Sequence, residues 1–299
     1  MRLNPDLDEL VNAVSGARIV DEAGNGEILE LENELASARI ALKGAKVLSF
    51  IPRGGVEVIG GGTSPDVTSH RGIPVCWPWF GSAGNPSHGF VRNAMWKLAK
   101  LETTVEGGHR AVFAMEIYDI HKLDHPKAAK YDFDLTLMAE IGSCLEVSLG
   151  MFNRSNVPCN IGCALHTYFN VSDLDNVAVR GLDGVRYVDH TAAGGKAEKR
   201  LSGDVKFTGE VDWVFSPSRE TTEIVDAGFK RIILIEKTGS GSTVVWNPGA
   251  ELAQTIPDLA GDGYRKMVCI EAANAFGDVR NVAGQSVHAL TQKISCLSL

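Results

Sequence analysis

"YDFDLTLMAEIGSCLEVSLGMFNRS", residues 131–155, alternates apolar and polar side chains on either side of Ile141-Gly142-Ser143. Phe133, Leu135, Leu137, Ala139 and Ile141 take every second position before the glycine, and Leu145, Val147, Leu149 and Met151 do so after it. A period of two sends every apolar side chain to one face of an extended strand, whereas a helix would repeat every ~3.6 residues. The stretch reads as two antiparallel strands joined at Ile141-Gly142-Ser143, each with one face buried.

The same period recurs in both directions along the chain. "ARIALKGAKVLSFIP" (38–52) alternates around Lys43-Gly44, and "AVFAMEIYDI" (111–120) reads as a further strand. "RIILIEKTGSGSTVVWNP" (231–248) reads as a hairpin turning about Thr238–Ser242, with "KMVCIEAAN" (266–274) and "SVHALTQKISCLSL" (286–299) as closing strands. The 32 glycines fall mostly between these runs, where turns need them. The exception is N-terminal. Asn4-Pro5 precedes Leu7, Leu10, Val11 and Val14, the spacing of a short amphipathic helix capped by Asn4. No repeat, linker or break in composition divides the chain. The expectation is an all-β sandwich of antiparallel sheets with a few short helices, forming one domain over 1–299, with 1–35 as an N-terminal extension carrying the helix.

At 299 residues, 44% hydrophobic and 22% charged, the chain can bury a full core. Its net charge of −8 lacks the basic footprint of a nucleic-acid binder, so an anion would have to be met by a local cluster of cations. "MRLNPDLDELV" is acidic without an apolar run, and no stretch approaches the ~18 apolar residues of a membrane span. Cys76, Cys144, Cys159, Cys163, Cys269 and Cys296 are scattered, which suggests free thiols in a reducing compartment. A cytoplasmic monomer that binds a small molecule, with neither nucleic acid nor membrane as partner, is expected.

Several motifs carry chemistry. In "CALHTYFNV" alternation sends Leu165, Thr167 and Phe169 to one face and Ala164, His166 and Tyr168 to the other. His166 could line a cavity, or be a satisfied core histidine. Cys159, Cys163 and His166 invite a zinc reading, but no second ligand pair completes it, and no metal is expected. Glu271 in "VCIEAAN" follows an apolar strand, and Asp212 in "EVDWVF" lies between Val211 and Trp213; each is either solvated or held in a partly dry pocket. "EKTGSGST" lacks the order of a phosphate loop, and no serine-hydrolase, zincin or dinucleotide signature is present.

"RGIPVCWPWFGSAGNPSHGFVRN" (71–93) sets Trp77, Trp79 and Phe80 beside Arg71, His88 and Arg92. Aromatic faces suit the C–H faces of a sugar, and arginine forks match phosphate oxygens. The plain alternative is an aromatic core plug beside a solvated rim.

"GIPVCWPWFG", "HGFVRN", "LHTYFNV", "GEVDWVF", "VVWNP" and "CIEAAN", in this order from about Ala36 onward, resemble the glucose-6-phosphate 1-epimerases, the hexose-6-phosphate mutarotase branch of the aldose 1-epimerase superfamily. The resemblance implies a galactose-mutarotase-like β-supersandwich and the interconversion of hexose 6-phosphate anomers without a cofactor. It implies His166 and Glu271 as the catalytic pair, and Asp212, Arg92 and His88 as substrate contacts, with Trp79 in the pocket wall. Ser87 stands where the family often has a glutamine. The family's R-G-G-I-P becomes His70-Arg71-Gly72-Ile73-Pro74, so either Arg71, the preferred choice, or His70 fills the arginine position. On this reading His166, as imidazolium, protonates the ring oxygen while Glu271, as carboxylate, takes the anomeric proton. The alternatives are an aldose 1-epimerase acting on unphosphorylated sugars and a non-catalytic sugar-phosphate-binding protein.

Overall fold

The computed structural model describes residues 7–192, 195–218 and 221–299. The decisive stretch forms strands Phe133–Ile141 and Leu145–Asn153, paired from Phe133↔Asn153 to Ile141↔Leu145. They belong to an eight-stranded antiparallel sheet. Its order is Val177–Arg180, Thr222–Asp226, Arg231–Thr238, Val287–Ser298, Leu145–Asn153, Phe133–Ile141, His109–Met115 and Lys97–Thr103. A second eight-stranded sheet runs from Ala197–Arg200 through Arg186–Asp189, Val211–Phe215, Ser242–Asn247, Met267–Asn274 and Cys163–Leu165 to Val75–Cys76, with Tyr168–Asn170 also paired to Met267–Asn274. Strands Ala17–Glu22, Gly26–Glu32, Ala36–Ala41 and Lys46–Pro52 form a four-stranded sheet.

The inward faces of these sheets share one core. Leu135, Leu149, Ile233 and Ile294 come from the first, Leu165, Phe169, Val245 and Ile270 from the second, and Ile40, Val47 and Phe50 from the third. Each such side chain contributes roughly 1.5–3 kcal/mol on burial. The fold is the expected all-β assembly of antiparallel sheets with short helices.

Local departures have physical reasons. Helix Leu7–Asn12 forms with Val11 buried, while Asn4 and Pro5 lie outside the described residues. The segment expected as an extension, 1–35, supplies strands Ala17–Glu22 and Gly26–Glu32 as well as the helix. The strand expected over 111–120 stops at Met115, and helix Ile117–His121 follows. There the Asp119 carboxylate accepts the Glu116 N–H at 3.2 Å and closes the first turn. The hairpin expected over 231–248 does not exist. Arg231–Thr238 pairs with Thr222–Asp226 and Val287–Ser298, whereas Ser242–Asn247 pairs with Val211–Phe215 and Met267–Asn274 in the other sheet. The turn between them carries the chain across the sandwich. Gly239, at φ +73, sits where a Cβ would come within 1.9 Å of the Ala289 carbonyl oxygen. All six cysteines are free. Among the described residues no helix is long and apolar enough to cross a membrane.

Candidate active site

Strand Met267–Asn274 is the axis of the site. Val268, Ile270 and Ala272 point into the core, which turns Cys269, Glu271 and Ala273 to the opposite face. Register then places the neighbours. Val244 lies opposite Glu271 and Trp246 opposite Cys269; Asp212 lies opposite Trp246, and Tyr168 opposite Cys269 from the other side. Asp212, Trp246, Cys269 and Tyr168 thus form a row across the sheet, with Glu271 in the next row.

His166 reaches this face from a tight turn between strands Cys163–Leu165 and Tyr168–Asn170. Its N–H donates to the Pro74 carbonyl at 3.0 Å, and the Thr167 N–H to that of Leu165 at 3.0 Å. Beneath it the Thr167 hydroxyl donates to the Gln292 side-chain carbonyl, and Gln292 Nε2 donates to the Ile270 carbonyl at 3.0 Å. The imidazole stacks on Tyr168, ring centres 4.8 Å apart and 8° from parallel. Its Nε2 lies 3.5 Å from Glu271 Oε1. His166 is 6% exposed and Glu271 1%. His166 Nδ1 and Glu271 Oε2 are buried with no hydrogen-bond partner among the described residues. Unpartnered buried polar atoms of this kind call for an explanation, and a ligand that engages them supplies one.

The pair opens onto a cavity of about 330 Å³ whose lining includes His70, Ser87, His88, Arg92, Tyr168, His190, Lys196, Asp212, Trp246 and Phe276. His70 stands near Tyr168 at one end of the row, 6.5 Å between ring centres; Asp212 ends the other, with His190 at 3.6 Å. None of the ion pairs among the described residues uses Arg92. His88 and Phe276, both lining the cavity, have positive φ values of 65 and 52 without being glycine. Such strain costs about 1–3 kcal/mol per residue and clusters at functional sites.

Burial governs the charges. It holds the His166 pKa well below 6.5, with Arg92 as a nearby cation adding to the effect. Burial, then the Asp212 charge, holds the Glu271 pKa well above 4.5, against Arg92. Both shifts favour a neutral imidazole beside a protonated carboxyl, the reverse of the charges expected from reference values. Burial also pushes His88 down to about 4, with Arg92 adding to the effect. Its Nδ1 accepts the Gly81 N–H at 3.4 Å, so the neutral ring carries its proton on Nε2. Burial raises Asp212, opposed by His190 and Lys196.

Of the residues singled out in the sequence, His166, Glu271, Asp212, Arg92, His88, Ser87 and His70 meet in this cavity. Arg71 and Trp79 do not. Arg71 donates to the Ser64 carbonyl at 3.1 Å and faces the charges of Arg39, Glu57 and Glu22 beside the four-stranded sheet. His70 takes the cavity position because Asp258 holds both its backbone N–H, at 2.7 Å, and its Nδ1, at 3.0 Å. Trp79 donates Nε1 to the Pro86 carbonyl at 2.8 Å, and Trp77 is fully buried against Phe90, Tyr131 and Phe133. The tryptophans of 71–93 are therefore a core plug, and Trp246 supplies the indole that lines the cavity. His190, Lys196 and Phe276 were not anticipated. "DHTAAGGK" offered a histidine and a lysine around glycines, but nothing in it pointed to Asp212. Cys159 lies on strand Cys159–Ile161, and the Cys163 thiol donates to Asn274 Oδ1 at 3.3 Å. Among the described residues no group of three or more His, Cys, Asp or Glu is placed to hold a metal ion.

The aldose 1-epimerase family matches residues 27–292. The chain belongs to that family, and it is an isomerase of the mutarotase kind. It is 31% identical over 293 residues to an Escherichia coli (strain K12) protein named "Putative glucose-6-phosphate 1-epimerase", covering 96% of this chain and 95% of that one. A crystal structure from Salmonella typhimurium, described as a "putative mutarotase", superposes with a TM-score of 0.80 at 27% identity, over 97% of this chain and 99% of that one. A galactose mutarotase-like protein from Clostridium acetobutylicum shares the fold at a TM-score of 0.73 and 14% identity, over 95% of this chain and 98% of that one.

Proposed function

We propose that this chain interconverts the α and β anomers of a hexose 6-phosphate, glucose 6-phosphate before others, with His166 and Glu271 as acid and base. The observation that carries the phosphate assignment is Arg92: a cation without a carboxylate partner among the described residues, in the same cavity as the proposed catalytic pair, with His70 also lining it. An overall charge of −8 makes that local cluster the more telling. The names borne by similar proteins point the same way.

The chemistry follows from one proton. The ion pair His166⁺/Glu271⁻ and the neutral pair differ only in where that proton sits. The closed sugar needs a proton delivered to O5 and one taken from the O1 hydroxyl. From the ion pair, His166 gives its proton to O5 as Glu271 accepts that of O1; the C1–O5 bond breaks and C1 becomes a carbonyl. This leaves the neutral pair, the form burial favours, so the protein stabilises the open-chain state. The ion pair re-forms before opening by transfer of the proton from Glu271 to His166 across their 3.5 Å contact. Rotation about C1–C2 presents the other carbonyl face, and the reverse transfers close the ring. Asp212 holds ring hydroxyls, and His88 donates through Nε2. The enzyme acts as a cytoplasmic monomer and asks for neither metal nor cofactor, because two proton transfers between side chains and sugar need neither.

The test is anomer-exchange NMR with glucose 6-phosphate and glucose in parallel. Faster exchange for the phosphorylated sugar supports the reading, and equal acceleration of both contradicts it.

A further inference from the structure

Asp212 meets His190 twice. The His190 N–H donates to the Asp212 carbonyl at 2.9 Å, and His190 Nδ1 lies 3.6 Å from Asp212 Oδ2. The backbone bond fixes the histidine beside the carboxylate. The imidazole is also held from behind, edge to face with Phe276 at 4.7 Å and 80°. Phe276 in turn lies 6.2 Å from Phe80. His190 Nε2 is buried with no partner among the described residues, so Nδ1 is the ring atom with a polar task. We propose that His190 is a positioning residue that keeps Asp212 ionised and aimed at the ring hydroxyls of the sugar, a role that rests on Asp212 being a substrate contact as proposed above.

The neighbours of Asp212 make this necessary. Burial favours the uncharged carboxyl, and Glu271, Glu210 and Asp189 are acidic groups acting on or feeling the same charge. Asp189 is already engaged by Lys199 and Thr191. Lys196 is exposed, over the Phe276 ring at 4.9 Å, whereas the His190 imidazole is packed against the carboxylate. A carboxylate accepts from two hydroxyls, and a protonated carboxyl gives up part of that capacity. The 3.6 Å approach is loose for a hydrogen bond, as such contacts often are before substrate closes them.

A purely structural histidine, one that only packs on Phe276, predicts something else. His190→Phe keeps the ring and loses Nδ1, whereas His190→Asn loses the ring and sets an amide nitrogen near the Nδ1 position. With glucose 6-phosphate as substrate, His190→Phe should raise KM about tenfold near pH 6, the loss of about one hydrogen bond to a charged group, with kcat within about twofold. The gap should narrow as pH rises, because higher pH itself favours the Asp212 carboxylate. His190→Asn should stay within about threefold of the unsubstituted protein. In an Asp212→Asn background His190→Phe should add nothing. An unchanged KM–pH profile, a loss in kcat instead of KM, or full additivity with Asp212→Asn would overturn the inference while leaving the anomerase reading intact. Failure of the unsubstituted protein to accelerate any sugar would overturn both.

Discussion

His166 Nε2 and Glu271 Oε1 stand 3.5 Å apart, and the remaining polar atom of each side chain has no partner among the described residues. The pair is held together by strands that meet only in the tertiary fold, and each half needs the other. His166→Asn and Glu271→Gln should each reduce anomer exchange by at least ~10², the lower end for one acid–base group. Exchange NMR on variants with unchanged circular dichroism checks this. Near-normal exchange from either variant would remove that residue from the proton path.

The same carboxyl should weaken the fold. Burial raises its pKa in the folded protein, so its stabilising contribution is complete below the unfolded value and is lost as pH rises toward the folded one. Glu271→Gln has no such loss. Its unfolding free energy in urea should therefore exceed that of the unsubstituted protein by a margin that grows as pH rises above the ordinary carboxyl range, by at most ~1.4 kcal/mol per pH unit. A margin that stays flat with pH would show that Glu271 is charged in the folded state.

Lys46 titrates in the opposite sense. Its ammonium is buried and donates to the carbonyls of Val67 at 2.6 Å and Ser69 at 3.0 Å, in the loop that leads to His70. Burial, with Arg92 and Arg71 nearby, lowers its pKa from 10.5 to about 7. The unfolded chain holds the proton that the folded one releases, so this group's contribution to stability increases with pH between about 7 and 10.5. Urea unfolding of the protein and of Lys46→Met should show the unsubstituted protein gaining stability relative to the variant across that window, by up to ~1.4 kcal/mol per pH unit. A constant difference would mean that Lys46 stays charged throughout.

Strand content and facing were legible because alternation is local. The 131–155 pair formed with its turn where the pattern put it. Partner choice was not legible, since alternation names the buried face but not the neighbour. "TGSGS" therefore passed for a hairpin turn when it crosses between sheets. The site divides in the same way. His166, Glu271, Asp212, His88 and Arg92 were readable from their strings, and the structure brings them together. The choice of His70 over Arg71 depends on Asp258, far along the chain, and Trp79 was drawn inward by the Pro86 carbonyl. Contacts of that range leave no trace in a local pattern.

The central claim is that a mutarotase cavity here recognises a 6-phosphate through Arg92. It is tested most directly by kcat/KM for glucose 6-phosphate and for glucose, measured on the unsubstituted protein and on Arg92→Ala. A charge-assisted hydrogen bond contributes about 1.5–3 kcal/mol, so Arg92→Ala should lose roughly 10- to 150-fold on the phosphorylated sugar and almost nothing on glucose. Equal losses on both sugars would contradict the account, because Arg92 would then support the cavity wall and not the phosphate.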